Sequence, residues 1–230
     1  MKGPYAIQSP QIRYEHMQQM VKWYVREYPD RCDPMLIVEV GSWLGASAIA
    51  WAKAMDKANV MGLVWCIDPW KPYHDHSQCD VVSKMNKLLW AHMGDDIEAQ
   101  FWDNVRLAGV ENRVHTIRST FLHALRMIQG ADINILYLDG SHYHEDIERD
   151  LSLALHQTKS HVLCGDDLES LVGVGVTRAE CISNAAYDTV NNEDGSWYHP
   201  GVSLAVHFHL GNDVTVYDGF WIAGDVNIYD

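Results

Sequence analysis

The stretch Val38 to Ala48, VEVGSWLGASA, decides the fold: it places an acid and two glycines where a buried strand gives way to a helix. Apart from Glu39, Leu36 to Val40 is a run of aliphatic, mostly β-branched residues, as expected of a strand covered on both faces of a parallel sheet. Gly41 and Gly45 flank a tight turn, and Ala46 to Met55 continues as alanine-rich helix. Glycine admits positive φ and close approach of a ligand to the backbone, while the helix that follows offers free N–H groups. Turns that cradle a pyrophosphate favour Gly-x-Gly-x-x-Gly, whereas this one reads Glu-x-Gly-x-x-x-Gly with Glu39 beneath the loop. A carboxylate there suits a cationic ligand.

Outward from this turn, strand-like and helical runs alternate. The strand-like runs are Leu36 to Gly41, Leu63 to Pro69, Arg113 to Ser119, Ile133 to Gly140 and His161 to Asp167. Helical patterns lie around 45 to 58, 95 to 109, 120 to 129 and 144 to 158, after an amphipathic helix from Ile12 to Tyr28. Such alternation predicts a parallel sheet with helices on both faces, in one domain over 34–230 with residues 1–33 as a helical extension. At the other end, Val202 to Leu210 and Val214 to Ala223 alternate apolar and polar around Gly211-Asn212-Asp213, which predicts an antiparallel hairpin. The stretches Lys71 to Asp80 and Asn191 to Pro200 are irregular and rich in His, Asp and Asn, the composition of loops that line a ligand cleft.

Composition narrows the partners. With 17 basic and 31 acidic residues the net charge is −14, and no basic patch gathers, so neither nucleic acid nor an anionic membrane surface is an expected partner. The five cysteines, at 32, 66, 79, 164 and 181, include no Cys-x-x-Cys pair and read as reduced intracellular thiols. No apolar run reaches the roughly 18 residues of a membrane span, and the N-terminus lacks an apolar leader. A soluble, cytoplasmic protein acting on a small molecule is the expectation. The N-terminal helix, with Trp23 and several tyrosines, offers a surface for self-association into a homo-oligomer.

Acids stand at the ends of three further strands. Asp68 closes VWCID, where a carboxylate can accept hydrogen bonds from a ribose diol. Asp139 closes the fourth strand in LDGSHYHED, and Asp166 and Asp167 close the fifth in CGDD. Neighbouring strand tips lie about 5 Å apart, so these three carboxylates converge, and a hard divalent cation such as Mg²⁺ relieves their repulsion. Structural readings compete: Asp before Pro forms turns, and Asp166 or Asp167 could cap a helix. His142-x-His144-x-Asp146 also approaches the pattern of binuclear zinc hydrolases, but residue 147 is Ile where that pattern continues with His. His74, His76, Trp43, Trp70 and Tyr73 are candidates for contact with an acceptor or cofactor, and His207 and His209 share one face of the expected strand.

The Glu39, Gly41, Gly45 turn with Asp68 one βαβ unit later resembles the class I S-adenosylmethionine-dependent methyltransferases. LDGSH with Glu145 and Asp150, then GDD, and the run FWDNVRLAGVENRVHTIRST narrow the resemblance to the metal-dependent O-methyltransferases of sugars and related hydroxylated natural products, the macrocin and mycinamicin type. The resemblance implies a Rossmann-like α/β fold with a mostly parallel seven-stranded sheet. It implies S-adenosylmethionine held by Glu39, Gly41, Ser42, Gly45, Asp68, Ser119, Thr120 and Asp139, and Mg²⁺ held by Asp139, Asp166 and Asp167. His142, with Asp139 beside it, is implied as general base for methyl transfer to a hydroxyl. A metal-dependent hydrolase, or a protein that binds the cofactor without turnover, is the alternative.

Overall fold

The computed structural model describes residues 11–71, 97–192 and 194–230. Tyr73, His74, His76 and Cys79 lie outside the described residues. In chain order the elements begin with helix α1 (Gln11–Glu27), strand β1 (Met35–Val40), α2 (Ala46–Ala58), β2 (Gly62–Asp68), α3 (Ile97–Leu107) and β3 (Val114–Arg118). They continue with α4 (Phe121–Ile128), β4 (Ile133–Leu138), α5 (His144–Gln157), β5 (Ser160–Gly165) and α6 (Arg178–Asn184). The short strands β6 (Val190–Asn191) and β7 (Trp197–Tyr198) precede α7 (Pro200–Leu210), β8 (Val214–Tyr217) and β9 (Phe220–Ala223).

Seven strands form one sheet in the order β3-β2-β1-β4-β5-β9-β8, and β6 and β7 pair as a separate ribbon. The first five are parallel and β9 runs antiparallel to β5. This is the Rossmann-like α/β architecture expected, and the order reverses direction between β1 and β4. At such a switch point the helices leave to opposite faces and open a crevice beyond the strand tips. Register lines those tips up: Val40 pairs with Ile67 and Leu138, and Leu138 with Gly165. The residues that follow these strands therefore share one edge of the sheet.

Burial on both faces explains why β1 and β4 are apolar at every position but Glu39 and Asn134. Ile37, Ile135, Tyr137 and Val162 face a core with Met17, Met20, Trp51 and Phe101 from α1, α2 and α3. Val38, Leu136, Leu138 and Leu163 face a second core with Phe121, Leu151, Val202 and Trp221. Trp51 and Trp221 are fully buried, and truncating a buried tryptophan to alanine costs about 3–5 kcal/mol. Of the aromatic residues in and just after α1, Tyr14 and Tyr24 are buried within the chain, Trp23 is half-buried and Tyr28 is exposed. No helix among the described residues is long and apolar enough to cross a membrane.

The C-terminal region departs from expectation. Val202 to Leu210 is not a strand but the body of α7, and the hairpin is β8 with β9, turning at Asp218-Gly219. Pro200 at the first turn starts the helix with a fixed φ and no N–H to satisfy. Residues 200 to 206 are buried all round, so the helical period is erased and the alternation imitates a strand. His207 and His209 accordingly sit in the last turn of a helix, where His209 Nε2 lies 3.4 Å from Glu148 of α5.

Candidate active site

The β1–α2 turn is built by packing as much as by conformation. Gly41 (φ 88°) lies against the backbone of Asp139 and Gly140, leaving no room for a Cβ, and Gly45 (φ 87°) would bring one to 2.9 Å from the Phe101 ring. Both glycines thus tie the turn to β4 and α3. Beneath it Glu39 is fully buried, and neither carboxylate oxygen has a hydrogen-bond partner among the described residues. Burial pushes Glu39 up to about 8, against the smaller opposing influence of the Ser42 and Ser47 hydroxyls. Ser42 is buried in the same turn.

Asp68 staples this turn to the tip of β2. Its Oδ2 accepts from Trp43 N at 2.9 Å and its Oδ1 from Trp70 N at 2.5 Å. Trp43 and Trp70 both hold positive φ, 44° and 45°, a conformation that side chains of this size adopt only when their surroundings fix it. Trp70 is buried, donates from Nε1 to Trp43 O at 2.8 Å and meets Phe101 edge to face, so it fills the core. Burial raises the Asp68 carboxyl above its usual range even though the Trp43 and Trp70 N–H groups hold it down. Ser119, half-buried at the tip of β3, donates its N–H to Asp68 O, and the exposed Thr120 pairs its hydroxyl with His123.

At the β4 and β5 tips the side chains of Asp139, His142 and Asp167 converge. One ligand atom from each lies within 4.8 Å of the others. His142 Nε2 stands 3.0 Å from Asp167 Oδ2 and 4.0 Å from Asp139 Oδ1, while its Nδ1 stands 2.9 Å from Oδ1 of the buried Asp188. Asp139 Oδ2 accepts from the Tyr137 hydroxyl at 3.2 Å. Asp167 holds a left-handed φ of 64°, which asparagine and aspartate tolerate better than other side chains. Burial raises Asp167, but His199, His142 and Arg13 outweigh it and hold this carboxyl well below the usual range. Its neighbour Asp166 goes the other way, raised by burial and by the charges of Asp167 and Asp139.

Asp166, expected beside Asp139 and Asp167, faces Arg13. The guanidinium, delivered by α1, pairs with Asp166, with Asp167 Oδ1 at 2.7 Å and with Glu169 Oε1 at 2.7 Å. Glu169 Oε2 in turn meets His199 Nδ1 at 3.0 Å, and the His199 and His142 rings contact edge to face at 4.5 Å. Arg13, Glu169, Asp188 and His199 were not singled out from sequence. The placement of Glu169 two residues after Asp167, and of His199 within the irregular stretch Asn191 to Pro200, are the signals that could have found two of them.

The hydrolase arrangement does not assemble. Among the described residues no group able to hold a metal includes His144 or Asp146. Asp146 instead accepts from Ser141 at 2.7 Å and pairs with Arg149 at 2.9 Å. The ribbon β6–β7 and the start of α7 hold the far side of the site: Gly201 lies against the backbone of His142 and His144 so closely that a Cβ would overlap both.

Comparison with known proteins agrees with this layout. A family model described as a methyltransferase domain matches residues 38–167, more than half of the chain. Among solved structures, the O-methyltransferase NovP is 15% identical with a TM-score of 0.56, covering 94% of this chain and 80% of that one. Cofactor-bound Rv0187 from MTB is 15% identical with a TM-score of 0.52, over 94% and 81% of the two chains. The O-methyltransferase TomG from Streptomyces achromogenes, in complex with SAM, is 18% identical with a TM-score of 0.50, over 91% and 79%. No curated protein matches in sequence. The strand order, the glycine turn at the switch point and the family match together make this chain a member of the methyltransferase-domain family, with the fold of the class I S-adenosylmethionine-dependent enzymes.

Proposed function

We propose that the protein transfers the methyl group of S-adenosylmethionine to a hydroxyl of a small acceptor, a sugar or a related hydroxylated metabolite, in the cytoplasm, with His142 as general base. The observation that carries this reading is the setting of His142. Its Nδ1 is held by buried Asp188, and its Nε2 faces the carboxylates at the β4 and β5 tips. An imidazole anchored by a carboxylate on one nitrogen can take a proton from a bound hydroxyl once its other nitrogen leaves Asp167 Oδ2, 3.0 Å away, for the acceptor.

The cofactor would supply an electrophilic methyl on a sulfonium. Around it the chain's own residues bind and orient. Glu39, fully buried beneath the turn, offers a counter-charge to a cationic group on the ligand. Ser42 and the α2 N-terminus offer hydrogen bonds, and Gly41 and Gly45 keep side chains out of the turn. Asp68 fixes the loop and keeps a second lone pair on each oxygen for a ribose diol. Ser119 and Thr120 stand at the β3 tip, on the side where the adenine end is expected.

Donor chemistry fits a divalent cation, with Mg²⁺ the expected one. Asp139 and Asp167 would hold it beside His142, with Asp166 behind them on Arg13. Bound there, such an ion would lower the pKa of an acceptor hydroxyl. Oxygen as the accepting atom is supported by the printed names of NovP and TomG, both O-methyltransferases, and by the resemblance to sugar-modifying enzymes.

The test is methyl transfer from labelled S-adenosylmethionine to a panel of free sugars, macrolide glycosides and catechols, with calorimetry of S-adenosylhomocysteine alongside. Absence of S-adenosylhomocysteine binding at high micromolar concentration sinks the cofactor reading. A His142→Ala variant that binds it normally and keeps full turnover sinks the base assignment.

A further inference from the structure

Arg13 is the feature of this site that the mechanism above does not use. Its side chain is 3% exposed, and every nitrogen of its fork is engaged. Nη1 pairs with Asp166 and Asp167, Nη2 with Glu169 at 2.7 Å, and Nε donates to Asp218 O at 3.1 Å. The β8–β9 turn is shaped around it: Gly219, φ 91°, would with a Cβ meet Nη2 at 2.5 Å. The residue comes from α1, outside the segment that matches the family model, and crosses more than 150 positions of sequence to reach these carboxylates. A planar fork with fixed charge suits this bridging role, which a lysine could fill only in charge.

Resting on the reading of Asp139 and Asp167 as cation ligands, we infer that Arg13 is a built-in competitor of the divalent cation, drawing on the same carboxylates and so keeping the ion weakly held. Two consequences follow from charge and geometry. A unit positive charge hydrogen-bonded to Asp167 opposes a dication on that same carboxylate. Asp166, the third carboxylate of an all-oxygen site, is withdrawn by its pairing with Arg13. Arg13 is a positioning residue: it acts through Asp166 and Asp167, not on the reacting atoms.

Calorimetric titration of the full chain with Mn²⁺ alone tests this, using wild type, Arg13→Met and Arg13→Lys, with S-adenosylhomocysteine affinity measured on the same samples. The expected result is Mn²⁺ binding tightened roughly tenfold or more in Arg13→Met, with Arg13→Lys within about threefold of wild type. A merely structural loss would weaken binding and not tighten it. Equal or weaker Mn²⁺ binding in Arg13→Met, including no binding by either protein, overturns the inference. If Arg13→Met does not fold, Arg13→Lys decides, since a tenfold change from wild type in either direction overturns it. Loss of S-adenosylhomocysteine binding by the wild type would instead sink the cofactor reading, a separate outcome.

Discussion

Asp188 Oδ1 lies 2.9 Å from Nδ1 of His142, and Asp188 is fully buried while His142 is half-buried at the cleft. A buried carboxylate on one ring nitrogen fixes the ring plane and directs the other nitrogen toward Asp167 and Asp139. Asp188→Asn keeps the shape but weakens the anchor. Turnover is expected to fall about tenfold to a hundredfold, with KM and S-adenosylhomocysteine affinity little changed. Steady-state kinetics at saturating cofactor reads this, and an unchanged kcat would remove Asp188 from the base's support.

Glu39 makes both stability and ligand affinity depend on pH. Burial raises it from 4.5 to about 8. Below the lower value both folded and unfolded chains carry the proton, so its contribution to stability is fully present. Between the two only the unfolded chain gives the proton up, and stability falls by about 1.4 kcal/mol per pH unit until the folded value is passed. In the unliganded protein Glu39→Gln is therefore expected to match wild type near about pH 5 and to exceed it by a few kcal/mol near about pH 9. A ligand carrying an ammonium group favours the ionised carboxylate, so S-adenosylhomocysteine affinity rises from about pH 6 to about pH 8 in wild type and stays flat in Glu39→Gln. Denaturant melts and calorimetry across that range check both signs.

The five parallel strands and the helices between them were legible to within a residue or two, because burial on both sheet faces leaves strongly apolar runs such as Leu36 to Val40, interrupted there only by Glu39. That Asp139 and Asp167 meet at one edge was legible for a related reason: residues just after such runs emerge at the crevice. The strand reading of Val202 to Leu210 failed where burial was most complete, since a helix covered all round loses the polar stripe that marks its period. Arg13 and Asp188 carry no local motif. They reach the site from α1 and from the segment after α6, and only the assembled packing of those segments makes them neighbours of Asp167 and His142.

Gly201 should separate catalysis from folding. It sits in the first turn of α7 with ordinary backbone geometry, and an alanine there would drive its methyl into the backbone of His142 and His144. Relief requires the 142–144 segment to shift, which moves the imidazole off Asp188. Gly201→Ala is expected to lose about a hundredfold in turnover while unchanged cofactor affinity reports an intact β1–α2 turn. Equal activity in the two proteins would mean that α7 yields instead of the histidine segment.

Gly41→Ala predicts a different failure. Here the added methyl meets the carbonyl of Asp139 and the Cα of Gly140, both backbone atoms, and the residue must also hold φ 88°. Left-handed strain in a residue with a Cβ costs about 1–3 kcal/mol, and the overlap adds to it because neither β1 nor β4 can move without breaking the register of Val40 with Leu138. Loss of roughly 3 kcal/mol or more in a urea melt is therefore expected, together with loss of S-adenosylhomocysteine binding. Gly45→Ala bears the same left-handed strain at φ 87° but meets side-chain atoms of Phe101 and Val105 and no backbone, so its penalty should be the smaller of the two. The reverse order in paired melts would mean that the turn is anchored on α3 and not on the β4 tip.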